Sequence, residues 1–168
     1  MPHTLRTTRL LLRPSAPRDA PRFWRAIDDF DVVKMTSTWP YPLPFSFVVR
    51  RLRRDAASGA AFSVFVGERI AGNIGGMLSA DGDFGVGYMF ARPFWGRGYA
   101  SETLKAYCDH IFAVVRPRAI VASRWLDNPA SGRVLEKAGF ADVGPDAPRW
   151  CVARRGNVAG VNYRLTRP

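Results

Sequence analysis

Residues 94–102 read Phe-Trp-Gly-Arg-Gly-Tyr-Ala-Ser-Glu and lie between an apolar strand pattern and an apolar helix pattern. Two glycines two positions apart let the backbone come close to a ligand and present its N–H groups. The first turn of the helix that follows adds unpaired N–H donors and the positive end of the helix dipole. Trp95, Gly96, Arg97, Gly98, Tyr99, Ala100 and Ser101 can thus form an anion cradle suited to a pyrophosphate. The same glycines also suit an ordinary turn into a helix. A dinucleotide fold would need a parallel βαβ unit and an acidic residue about 20 positions on, and here the preceding strand ends an antiparallel meander. A nucleotide-triphosphate loop would need Lys-Ser or Lys-Thr after its last glycine, whereas Tyr99 follows Gly98.

The second run with chemistry in it is 128–140, Asn-Pro-Ala-Ser-Gly-Arg-Val-Leu-Glu-Lys-Ala-Gly-Phe. Asn128 is a good helix N-cap, Pro129 suits the first helical position, and Gly139 before Phe140 marks the stop. Ser131 falls in the first turn, where the dipole favours an anion, and a hydroxyl there could donate a proton to a departing thiolate. Helix punctuation alone accounts for the same residues.

These runs need elements to hold them. Thr8–Arg13 reads as a strand and Asp19–Phe30 as a helix with Phe23, Ile27 and Phe30 on one face. Three prolines within Thr38–Phe45 stiffen an extended loop. Ser46 can cap a helix running to Ala57, with Gly59 beyond its end. Ala60–Val66, Ile70–Leu78 and Phe84–Phe90, separated by turns at Gly67-Glu68 and Asp81-Gly82, form an antiparallel meander. A helix over Gly98–Phe112 turns Ala100, Leu104, Tyr107 and Ile111 inward. Ala119–Ser123 is a short strand, and two more occupy Trp150–Arg154 and Val158–Leu165 around a turn at Gly156-Asn157. The order predicts one α/β domain over residues 1–168, a mixed and mostly antiparallel sheet flanked by about four helices.

Composition narrows the functions. Apolar residues make up 47% and aromatic residues 12% of the 168, so the chain can bury a core. Net charge is +11, almost all from arginine. Such an excess suits a nucleic-acid surface or an acidic phosphorylated cofactor, or spreads over a solvated surface. Cys108 and Cys151 provide no disulfide framework, and with His3 and His110 as the only histidines no metal site is expected. Cys108, Cys151 and His110 read as structural residues. No stretch approaches the ~20 apolar residues of a membrane span, and no signal-peptide core precedes Pro14, so a cytoplasmic protein is expected.

The two runs together resemble the GNAT superfamily of acyl-CoA-dependent N-acyltransferases. The branch they resemble contains the bacterial ribosomal-protein N-terminal acetyltransferases. The loop matches through Gly98 and Ala100, with Trp95 standing where the wider family has Gln or Arg; Glu102 supplies the branch's acidic residue. Asn128, Ser131, Glu136, Lys137, Gly139 and Phe140 match its second element, and the stretch 5–14 resembles its opening with Thr8 in place of Glu. The resemblance implies acetyl-CoA as co-substrate and a primary amine as acceptor, a protein N-terminus such as that of a ribosomal protein, or a small amine. It implies that the pyrophosphate lies on the 96–101 amides and that pantetheine runs beside Tyr88–Arg92 at a splay between strands. An N–H near Met89 or Phe90 would serve as oxyanion donor. Asn128 would bond the pantetheine amide, and Ser131 would be the acid. Asp83 is a candidate base, as is a water wire, because the carboxylate expected before Gly85-Val86-Gly87-Tyr88 is absent. Trp39, Tyr41 and Phe45 form one wall of the acceptor pocket or a lid over the core. A homodimer is common among such relatives. The rival class is a basic RNA- or ribosome-docking module centred on Arg50–Arg54, with this fold and little turnover.

Overall fold

Strand chemistry dominates both the middle and the end of the chain. The computed structural model describes residues 4–167. The elements are β1 (Leu5–Arg6), β2 (Leu11–Pro14), α1 (Ala20–Ile27), α2 (Phe30–Val33), α3 (Phe45–Ser58), β3 (Ala61–Val66), β4 (Arg69–Leu78), β5 (Phe84–Phe90), α4 (Tyr99–Val114), β6 (Ala119–Trp125), α5 (Pro129–Lys137), β7 (Ala141–Cys151) and β8 (Gly156–Thr166), with 3-10 turns at Pro17–Asp19 and Arg92–Phe94. The eight strands form one sheet in the order β1-β2-β3-β4-β5-β6-β8-β7. Only β5 and β6 run parallel, and they pair at just Phe84–Ile120 and Gly85–Val121. Beyond those residues the two strands diverge, while β6 keeps pairing with β8 from Ala119 to Trp125. The sheet therefore has a fork that opens toward the C-terminal ends of β5 and β6.

Each face of the sheet carries its own core. Phe62, Val64, Ile74, Phe84 and Ile120 pack with Leu104, Tyr107 and Ile111 of α4 and Leu135 of α5. On the opposite face, Phe65, Ile70, Met89, Trp125 and Cys151 pack with Phe23 and Ile27 of α1 and Val48 and Leu52 of α3. Period-two strands between two amphipathic layers produce this division.

Four sequence expectations need correction. A tight turn joins the Thr7 and Leu10 backbones, so the strand expected over Thr8–Arg13 is Leu11–Pro14 instead. The helix expected over Asp19–Phe30 breaks after Ile27, because Asp29 caps a separate α2 through the Asp31 N–H. Pro44, not Ser46, stands at the N-cap of α3; Gly59 ends the helix in the left-handed region, as expected. The last two strands are longer than expected and turn at Val152–Arg155. Two register shifts let β7 accommodate Gly144, Pro145 and Pro148 at the sheet edge, where a missing N–H costs no ladder bond. Among the described residues, no helix is long and apolar enough to cross a membrane.

Candidate functional site

The fork and the loop that leaves β5 are the two halves of the site. After Phe90 the chain makes the Arg92–Phe94 turn and enters α4 through Gly96 and Gly98, at φ +71° and +76°. L-residues with a Cβ rarely adopt this backbone. Gly98 is the N-cap of α4 and offers no side chain to it. Among the described residues, none of the six successive amides from Gly96 to Ser101 has a backbone acceptor; the Trp95 and Glu102 amides on either side do, at Arg92 and Gly98. Six free donors around a helix N-terminus fit a diphosphate.

The loop is strapped down by a residue 93 positions from Glu102. Arg9 bonds Glu102 through Nε at 2.7 Å and through its own amide at 3.0 Å. Its Nη1 donates to the Arg97 carbonyl at 2.9 Å, and its guanidinium lies 4.8 Å from the centre of the Tyr99 ring. Thr7 adds a hydroxyl bond to Glu102. Burial pushes the Glu102 carboxyl up, but the bonds from Thr7 and Arg9 outweigh it and hold the group below its ordinary range. Arg9 had no role in the sequence reading; the Arg at that place in the opening motif was its only signal.

At the fork, strand alternation separates Met89 from Phe90. A Cβ at Gly72 would meet the Met89 carbonyl oxygen at 2.1 Å, so the Met89 peptide groups face β4. The Phe90 carbonyl faces the other way and accepts the Trp95 indole N–H at 2.6 Å. The N–H of Phe90 shares that open side, whereas the Met89 backbone is turned away from it. Trp95 thus pins the β5 end to the loop, a use that explains an indole where Gln or Arg is common.

Across the fork, Tyr88 Oη stands 2.9 Å from Ser131 Oγ. Ser131 is held in the first turn of α5, where its amide donates to Asn128 Oδ1 at 3.1 Å. Burial pushes the Tyr88 phenol up to about 12, against the opposing effect of its hydrogen bond with Ser131, so it keeps its proton. With its Oδ1 engaged as the cap, Asn128 retains an amide –NH2 for a ligand. The Tyr88 hydroxyl, like Arg9, is a site feature that sequence reasoning missed.

On the face opposite α4 and α5, a cavity of about 450 Å³ sits at the vertex of the fork. Gly85, Val121, Ser123, Asn162 and Arg164 line it. Asp83 lines it too, but both carboxylate oxygens accept from Arg164, at 2.5 and 3.1 Å. Asp83 also lies at the far end of β5 from the loop, so the structure places it in an ion pair rather than beside the reacting end of the fork. Trp39, Tyr41 and Phe45 do not line this cavity. Trp39 is 3% exposed, between Phe23 and Phe47, and belongs to the core. Tyr41 packs on Phe30 and Phe45 on Trp24. Cys151 is buried, with its thiol against the Lys34 and Thr36 carbonyls.

Residues 9–141 match the model of the acetyltransferase (GNAT) domain. Among curated proteins, the uncharacterized protein YkkB of Bacillus subtilis (strain 168) is 44% identical over 55 residues, 33% of this chain and only 32% of its own length, so the match spans about a third of that relative. Two solved structures share the fold almost end to end. Mycobacterium smegmatis RimJ, in complex with CoA-disulfide, superposes with a TM-score of 0.82 at 22% identity, over 98% of this chain and 88% of that one. The acetyl transferase from Salmonella typhimurium that modifies the N-terminal serine of the 50S ribosomal subunit protein L7/L12 superposes with a TM-score of 0.82 at 17% identity, over 96% and 97%. With the loop, the fork and the match over residues 9–141 in agreement, the chain belongs to the GNAT acetyltransferase family.

Proposed function

We propose that the protein transfers acetyl from acetyl-CoA to a primary amine by direct attack. The observation that carries this reading is the row of free amides from Gly96 to Ser101, which follows directly on an open strand edge. The co-substrate supplies an activated thioester. The Gly96–Ser101 amides hold its pyrophosphate, and the free edge of β5 receives the pantetheine arm. Phe90 directs its N–H to the carbonyl oxygen, where negative charge grows as the amine attacks. Ser131 gives its proton to the sulfur as the carbon–sulfur bond breaks. Tyr88, protonated and 2.9 Å away, donates to Ser131 Oγ and orients that hydroxyl.

The acceptor enters from the opposite face. Gly85 and Gly87 point their missing side chains there, and nothing stands within 4 Å of where a Gly87 Cβ would be. A strand that bears no side chain at Gly87, with open space beside it, suits a narrow, extended amine such as a peptide N-terminus. The Salmonella relative acts on such an N-terminus. With Asp83 committed to Arg164, the amine proton leaves to water, and Ser131 regains from water the proton it gave to sulfur. Calorimetric titration with acetyl-CoA, followed by thiol release in the presence of N-terminal peptides and small amines, tests the reading. Micromolar acetyl-CoA binding and acceptor-dependent thiol release are expected; failure to bind acetyl-CoA overturns it.

A further inference from the structure

Against the chain's 14 acidic residues stand 25 arginines and lysines, several of them in ion pairs. Arg9, Arg13, Lys34, Arg51, Arg92 and Arg154 each hold a carboxylate. Among the described residues, Arg22 and Arg25 of α1 and Arg69 at the start of β4 make no ion pair, and these three line one concavity of about 440 Å³. Its floor is apolar, built from Ala26, Ile70 and Phe94, and Glu68 is the one acidic residue on its rim. The Arg69 guanidinium is held 5.0 Å from the Phe94 ring centre. A guanidinium flat on an aromatic ring keeps its N–H edges free, in the geometry that grips phosphate oxygens two at a time.

α3 packs against α1, and among the described residues its exposed Arg50, Arg53 and Arg54 make no ion pair either. Three arginines in one concavity with three more on the neighbouring helix suit a linear polyanion better than one small anion. No large apolar side chain is exposed on α1, and the half-exposed Phe45 at the start of α3 packs on Trp24, so neither helix presents an apolar wedge to a lipid surface.

We propose that this face binds the phosphodiester backbone of a nucleic acid, anchored at Arg22, Arg25 and Arg69. None of these residues belongs to the acetyl-CoA loop or the fork, so the proposal stands or falls separately from acetyl transfer.

The test uses the full chain saturated with acetyl-CoA, which keeps the Gly96–Ser101 amides occupied. A short fluorescent single-stranded RNA is titrated by anisotropy over a range of salt. Arg22→Gln/Arg25→Gln/Arg69→Gln is compared with Arg116→Gln/Lys137→Gln/Arg155→Gln, which removes the same charge elsewhere. The first triple variant is expected to weaken RNA binding by tenfold or more, and to flatten the log–log salt slope by about 2, against little change in the second. Unchanged acetyl-CoA affinity and thermal melting would show that the first variant is folded, and support the proposal. Equal loss in both triple variants would overturn it in favour of diffuse charge. No RNA binding by the parent at low salt would also overturn it, as would tighter binding to pyrophosphate, anionic vesicles or polyglutamate than to RNA.

Discussion

The Tyr88 hydroxyl, on β5, reaches 2.9 Å from Ser131 Oγ, on the first turn of α5, and so links β5 to the helix that follows β6, the strand from which it parts beyond Gly85 and Val121. The bond brings together residues 43 apart in sequence, and the proposed roles of the two make it testable. Ser131→Ala is expected to lower kcat by about 100-fold while acetyl-CoA affinity changes less than about twofold. Tyr88→Phe should cost about tenfold, and the double variant little more than Ser131→Ala alone, because the two act as a unit. Steady-state kinetics beside calorimetry read both.

Gly98→Val puts a β-branched residue at φ +76°, with Arg9 Nη2 3.3 Å from its Cβ. The loop must shift, and acetyl-CoA affinity should fall by at least about 100-fold while the circular dichroism spectrum is retained. Retained affinity would refute the cradle.

Glu102 and Arg9 should behave as one strap. Arg9→Ala and Glu102→Gln are each expected to raise the acetyl-CoA Kd by about tenfold, and Glu102→Ala to cost roughly 1–2 kcal/mol of stability at neutral pH. The Glu102 carboxyl is held below its ordinary 4.5, so its contribution is full above that pH and disappears as pH falls through the lowered value. Denaturant midpoints of parent and Glu102→Gln should therefore converge in acid.

Gly87→Val fills open space on the acceptor face. The expected result is a rise in acceptor KM of about tenfold or more with acetyl-CoA binding unchanged. An equal loss of acetyl-CoA affinity would place Gly87 on the cofactor side instead.

Alkali should unfold the protein earlier than its surface charge suggests. Burial pushes the Cys108 thiol from 9.0 up to about 12 and the Tyr88 phenol from 10.0 up to about 12, and raises Tyr107 as well. These groups ionise first in the unfolded chain, so their contribution is full below pH 9 and is lost as pH climbs toward 12. Urea midpoints should be level from pH 7 to about 9 and then decline, with a shallower initial decline in Cys108→Ala.

Where chemistry is local, the sequence was legible. The glycines of the loop, the Asn128 cap and the meander turns each declare a backbone requirement within a few residues, and the structure has them where they were expected. What escaped depends on long-range contacts. Apart from the Arg of the opening motif, nothing near Thr7 or Arg9 signals a carboxylate 95 and 93 positions away. Asp83 reads as a free acid until Arg164 comes beside it from 81 positions off. Trp39, in a proline-rich stretch, reads equally as a pocket wall or as a lid over the core until Phe23 and Phe47 enclose it. The first part of β7 was hidden because glycine and proline at an edge strand look like a loop.

The parallel pairing of β5 with β6 covers two residue pairs, whereas every other interior strand pair covers at least four. A ladder this short leaves the sheet notched between β5 and β6, and side-chain packing rather than backbone hydrogen bonding carries the load across the notch: Phe84 and Leu104 on one side share a core with Ile120 and Leu135 on the other. The Tyr88–Ser131 bond adds a polar strut to that packing.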